Sequence, residues 1–232
     1  MKLPVIDSPI FEIKLVSLEE PVKFRPFTVK EEKILLIAEE SNDDKDILNA
    51  IRQVINNCCM SKVDVNKLPL FDIEYLFLQL RSKSVSNIST LRYRDKEDNE
   101  VREFQVDLDT ITPQIDPNHS TIIKLSDNIT VTFKYPTIED VSKIKTDSDD
   151  ASIELVASCI DTILDEDELF IGDNFTLEEK VEFINQLNTK SFENVLVTFV
   201  ETMPKMTHTL KYVNNNGNSR EIVLEGYRSF FP

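Results

Sequence analysis

Val22-Lys-Phe-Arg-Pro-Phe-Thr28, followed by Val-Lys-Glu31, has a counterpart in Val131-Thr-Phe-Lys-Tyr-Pro-Thr137, followed by Ile-Glu-Asp140, at a constant offset of 109. Leu76-Phe-Leu-Gln-Leu-Arg-Ser-Lys-Ser84 then matches Phe183-Ile-Asn-Gln-Leu-Asn-Thr-Lys-Ser191 at 107, and Thr90-Leu-Arg-Tyr93 matches Thr209-Leu-Lys-Tyr212 at 119. The order is kept, and the offsets change where loops or helix ends can absorb insertions. This predicts an internal duplication, with residues 1–112 as one unit and 113–232 as a second, diverged one. The shared positions are framework residues without reactive side chains, which points to a scaffold or binding protein.

Each unit reads as a β-hairpin, about three helices and a second β-hairpin, an α+β fold. Phe11-Glu-Ile-Lys-Leu15 and Val22-Lys-Phe-Arg25 alternate apolar and polar residues, as do Ile123-Lys-Leu125 and Ile129-Thr-Val-Thr-Phe133. Thr28 and Glu31 form a capping-box pattern that Thr137 and Asp140 repeat approximately, and Thr176 with Glu179 forms a full one. A second helix is expected around Ile47, Ile51, Val54 and Ile55, and at the equivalent Val156, Ile160, Ile163 and Leu164, because that spacing makes one apolar face. Around Phe71-Asp-Ile-Glu-Tyr-Leu-Phe-Leu-Gln-Leu80 the apolar residues run most of the way round the third helix, which must be central or covered by another chain. Its counterpart extends through Leu196, Phe199 and Val200 to Pro204. The closing hairpins turn at Asp95 to Asn99 and at Asn214 to Ser219, where Asn216-Gly217 accepts positive φ. Pro113 and Pro117 mark the junction between units.

The 42 acidic against 26 basic residues give a net charge of −16, with both halves acidic. Such a surface repels phosphate backbones and anionic headgroups, so neither nucleic acid nor membrane is an expected partner. No signal peptide or long apolar run is present, and three cysteines without framework spacing suit a reducing compartment, so the chain is expected in the cytoplasm where it is made.

No catalytic set can be assembled. His119 and His208 have no Cys or carboxylate at ligand spacing and read as surface histidines. Cys58 and Cys59 are adjacent, and with Cys159 they read as small apolar fillers rather than zinc ligands. The run Asp161 to Glu168 invites a calcium loop, but Phe170 stands where glycine is required, so a solvated helix end is the better reading. Ser148 lies in polar turn sequence with no base nearby. The expectation is a protein that is not an enzyme and needs no metal or cofactor. Phe71, Tyr75, Phe77 and Leu78, with Tyr227, Phe230 and Phe231, exceed what one helix face needs and are the candidate partner-binding residues; core packing explains each singly as well.

The segments Val22 to Lys33, Asp46 to Ala50, Ile55 to Cys58 and Leu68 to Val85 together resemble the baseplate protein family of T4-like contractile-tailed bacteriophages, over roughly residues 20–85. The resemblance implies a hub subunit or hub-assembly protein of the tail baseplate. Its partners would be other tail and hub proteins, with the tape-measure protein as a further candidate, and its place the host cytoplasm during assembly and the virion baseplate. It carries over no catalytic or metal residue. The alternatives are a general adaptor or host-directed binding module, and a hydrolase using an acidic pair with a divalent ion.

Overall fold

In the computed structural model, which describes residues 6–41, 43–144 and 150–230, the chain is α+β. In chain order the elements are β1 (Phe11–Ile13), β2 (Val22–Phe24), α1 (Val29–Ser41), α2 (Asp44–Cys58), α3 (Leu70–Ser84), β3 (Ile88–Arg94), β4 (Val101–Asp107) and β5 (Pro113–Gln114). They continue with β6 (Ile122–Lys124), β7 (Ile129–Phe133), α4 (Ile138–Lys143), α5 (Ala151–Ser158), β8 (Ile160–Asp165), β9 (Glu168–Ile171), α6 (Leu177–Asn185) and α7 (Thr189–Val195). A π-helical turn, Leu196–Val200, prolongs α7 before β10 (Lys205–Val213) and β11 (Ser219–Glu225), and a 3-10 turn, Tyr227–Phe230, follows. Two compact units result: residues 1–114 with 205–232, and residues 115–204.

In the first unit α3 is the axis. Phe71, Ile73, Leu76, Phe77, Leu78 and Leu80 are all buried, so the apolar residues around this helix are covered from within its own unit. The apolar face of α2 (Ile51, Val54, Ile55) meets it, and β10, β5 and the Tyr227–Phe230 turn also contact it. Asp72, fully buried on α3, accepts from the Val16 and Ser17 amides, both at 3.0 Å, which fixes the end of the first hairpin to the helix. β5 pairs with β10 (Gln114 opposite Lys205, Pro113 opposite Met206), so the predicted proline linker is partly a strand. The compact units therefore divide the chain differently from the expected boundary at 112/113, since the hairpin β10–β11 belongs with the first half.

In the second unit four antiparallel strands in the order β6-β7-β8-β9 place Ile123, Val131, Phe133 and Ile160 in a core with Val156, Ile184, Val195 and Phe199. Here one sequence expectation is corrected. Ile160, Ile163 and Leu164 lie in a strand, not a second helix, and Asp161 to Glu168 is a hairpin whose turn places Glu166 at φ 52°, not a helix end. The reason is a β-bulge. Phe133 pairs with Ile160 and Thr132 with Thr162, so Asp161 is an extra residue. It puts Ile160 and Ile163 on the same inward face, and their three-residue spacing imitates a helix.

Gly172, at the end of β9, is required by close approach. A Cβ there would stand 2.3 Å from the Ile160 carbonyl oxygen and 2.8 Å from that of Asp161. In the last hairpin Gly217 has φ 83° as expected, whereas Asn216 keeps an ordinary backbone.

Helix starts also differ in detail. Both arms of the capping box form at Thr137/Asp140 and at Thr176/Glu179. At Thr28 the hydroxyl donates to the Glu31 carboxylate (2.6 Å), which is buried and also takes Arg25 (3.0 Å) and the Thr28 amide (2.9 Å). Burial pushes the Glu31 carboxyl up, but the hydrogen bonds from Arg25 and Thr28 and the guanidinium charge outweigh it and bring it down to about 2.

Candidate interaction surfaces

The residues singled out as partner-binding are mostly interior. Phe71, Phe77, Leu78, Tyr227 and Phe230 are buried, Tyr75 is half-buried, and Phe231 lies outside the described residues. Two of them meet: the Phe77 and Tyr227 rings stand edge to face, with centroids 5.8 Å apart. Ser89 donates to the Phe230 carbonyl at 2.5 Å. Beside them Glu74 accepts from the Tyr227 amide, and burial raises its carboxyl to about 7, with Glu225 pushing the same way.

Sequence reading missed the clamp between the turns of β3–β4 and β10–β11. Asp95, fully buried, accepts from the Tyr212 hydroxyl (2.6 Å) and the Glu97 amide (2.7 Å), with Arg220 at 3.6 Å. Asp98 is paired with Arg102 and accepts from the Asn215 amide (2.8 Å), while Glu97 takes the side-chain amides of Asn214 and Asn218. The Tyr212 hydrogen bond holds the Asp95 carboxyl below its ordinary value, and the Arg102 hydrogen bond does so for Asp98. Arg102 lies over the Tyr212 ring at 5.1 Å, and the Phe104 ring packs against the same Tyr212 ring with centroids 5.4 Å apart. Between the hairpins runs a cleft of about 660 Å³ lined by Leu91, Tyr93, Phe104, Leu210, Ile222 and Leu224. The carboxylates of Asp95, Glu97 and Asp98 each take at least two donors, which ties the two turns together. In sequence the turn Asp95 to Asn99 looks like a solvated loop, because its partners lie about 117 residues away.

His119 is half-buried and bonded at both ring nitrogens rather than a free surface histidine. Its Nδ1 is 2.8 Å from Thr202 Oγ1 and its Nε2 is 2.8 Å from the Tyr135 hydroxyl, and its ring stacks on Tyr135 and Phe199. The Thr202 hydroxyl donates to the Thr198 carbonyl (2.5 Å), so it accepts from Nδ1–H and leaves Nε2 to accept from Tyr135. Both nitrogens are thus occupied, and burial lowers the imidazole pKa. Burial also raises the thiols, to about 11 for Cys58 and about 12 for Cys159, which keeps them protonated and unreactive at neutral pH. Ser148 lies outside the described residues. Among the described residues no group of three or more His, Cys, Asp or Glu side chains is placed to hold a metal ion, and no helix is long and apolar enough to cross a membrane.

Among the described residues, exposed apolar side chains include groups on α1 and on the four-stranded sheet. On α1 of the first unit Val29, Leu36 and Ile37 face solvent beside a groove of about 460 Å³ lined by Phe27, Leu35, Ile47, Ile51 and Phe77 among others. On the second unit one face of the four-stranded sheet is covered by helices and the other is open. Exposed apolar surface of this kind marks places where another chain can dock. The chain matches the family of T4 bacteriophage base plate proteins over residues 8–232 and belongs to that family; it is a phage baseplate protein. Comparison with curated proteins found no match, and neither did comparison with solved structures.

Proposed function

We propose that the chain acts without catalysis in building the baseplate hub of a phage tail, as a hub subunit or an assembly factor, through contacts with other baseplate proteins. The family match across nearly the whole chain carries this reading. The exposed apolar surfaces on both units and the protonated, buried thiols agree with it. Hub and tail proteins are the expected partners, and the tape-measure protein is a further candidate. The chain works in the host cytoplasm during assembly.

The test is to block its synthesis during infection and to follow tail intermediates by sedimentation and electron microscopy, while identifying the proteins that co-purify with a tagged copy. Baseplates that stall before a complete hub, together with recovery of hub components, are the expected result. Complete hubs in its absence, or recovery of host proteins alone, would replace this reading with that of a host-directed adaptor.

A further inference from the structure

We propose that the open face of the β6–β9 sheet is a docking surface for a basic segment of another baseplate protein; this rests on the baseplate reading above. The register defines the face. Ile122, Thr132, Thr162 and Ile171 stand in one cross-strand row, and Lys124, Thr130, Leu164 and Leu169 in the next. Ile122, Leu164, Leu169 and Ile171 are 62%, 41%, 59% and 50% exposed, although the opposite face of the same strands supplies the core. β-Branched and aliphatic side chains across four strands, with Lys124 the one charged residue in these two rows, make a flat apolar platform that solvent does not favour.

Charge selects the occupant. The inserted unit, residues 115–204, has 19 Asp and Glu against 6 Lys and Arg, a net −13, whereas the rest of the chain has 23 against 20, a net −3. Nearly all the net charge of the protein is therefore in the unit that carries the open sheet. Carboxylates also rim the platform. The β6–β7 turn presents Asp127, and the β8–β9 turn presents Asp165, Glu166, Asp167 and Glu168, all exposed. The two turns are joined by Asn128 Nδ2 donating to Glu166 (2.7 Å) and by the Glu166 amide donating to the Asn128 carbonyl (3.0 Å). Lys124 is taken by Asp127 at 3.2 Å, and among the described residues Asp165, Asp167 and Glu168 have no ion pair.

A second copy would bring another −13 against the same face, and nucleic acid or anionic lipid would be repelled likewise. A segment with aliphatic side chains for the platform and Lys or Arg for its rim satisfies both features, and the field of the rim would speed its encounter.

The test replaces Leu169, and separately Ile171, with the photo-crosslinker p-benzoylphenylalanine in the full chain during infection. Baseplates and their precursors are then isolated by sedimentation and the crosslinked peptides sequenced. Both positions are exposed, and unchanged thermal melting confirms the fold. The expected product is a peptide of another baseplate protein in which Lys and Arg exceed Asp and Glu. Its yield should fall at least about tenfold in the D167K/E168K variant, as loss of a close charge pair predicts. A crosslink to a second copy, to a neutral or acidic peptide, or one indifferent to the charge reversal overturns the proposal. So does a chain present in baseplates that crosslinks from neither position. A chain absent from baseplates and precursors removes the baseplate reading itself, and the sedimentation step separates that failure from the others.

Discussion

Glu74 is an ionisable group at a buried seam, where α3 meets the backbone of Tyr227. Its carboxyl, raised from 4.5 to about 7, binds a proton in the folded chain that the unfolded chain releases. Stability from this group is therefore full below about pH 4.5 and is lost as pH rises towards 7, the reverse of the usual carboxylate. The variant Glu74→Gln, which keeps an acceptor for the Tyr227 amide, should gain about 1 to 3 kcal/mol over the parent at pH 8 and little at pH 5, as read from urea unfolding at the two pH values. His119 acts in the opposite sense: with its pKa lowered by burial, it contributes stability above its ordinary 6.5 that is lost as pH falls. Neither residue was legible as such. Glu74 sits in an apolar run whose partner arrives from the far end of the chain, and His119 is fixed by Tyr135 and by Thr202, 16 and 83 residues away.

At the scale of elements, local pattern sufficed where a segment obeyed a single period. β1 and β2 show alternating burial as read, α2 buries the predicted face, and α3 is apolar around its circumference because it is central. It failed at β8, where an inserted Asp161 breaks the alternation. That residue matters through its backbone, since its side chain is exposed. Asp161→Ala should leave the thermal midpoint nearly unchanged, whereas deleting Asp161 turns Ile160 out of the core and should cost about 3 kcal/mol or more. Equal effects of the two changes in calorimetry would deny the bulge its role. Gly172 belongs to the same corner: its missing side chain lets the end of β9 lie against the backbone of Ile160 and Asp161.

For the whole molecule, composition and pattern indicated α+β structure and an acidic surface, but not that the acidity is concentrated in one unit or that this unit is an insertion. Topology of this kind leaves no local trace, because the β5–β10 pairing joins residues 91 positions apart, Gln114 and Lys205. Since those two residues are neighbours in the sheet, replacing 115–204 with a short glycine turn should leave a first unit that still unfolds cooperatively, as circular dichroism and amide exchange of α3 would show. An excised chain with molten, unprotected α3 amides would mean that the first unit depends on its insertion.

The same interruption sets a timetable for synthesis. Met206 and Phe230 are fully buried in the first unit, yet the ribosome makes them after the entire inserted unit. The nascent chain therefore holds α3 with part of its apolar circumference uncovered while residues 115–204 emerge, and the unit begun last is the one free to fold first. A product cut short before Lys205 would keep the docking sheet and yet carry an unfinished first unit, the form most prone to aggregate or to draw host chaperones.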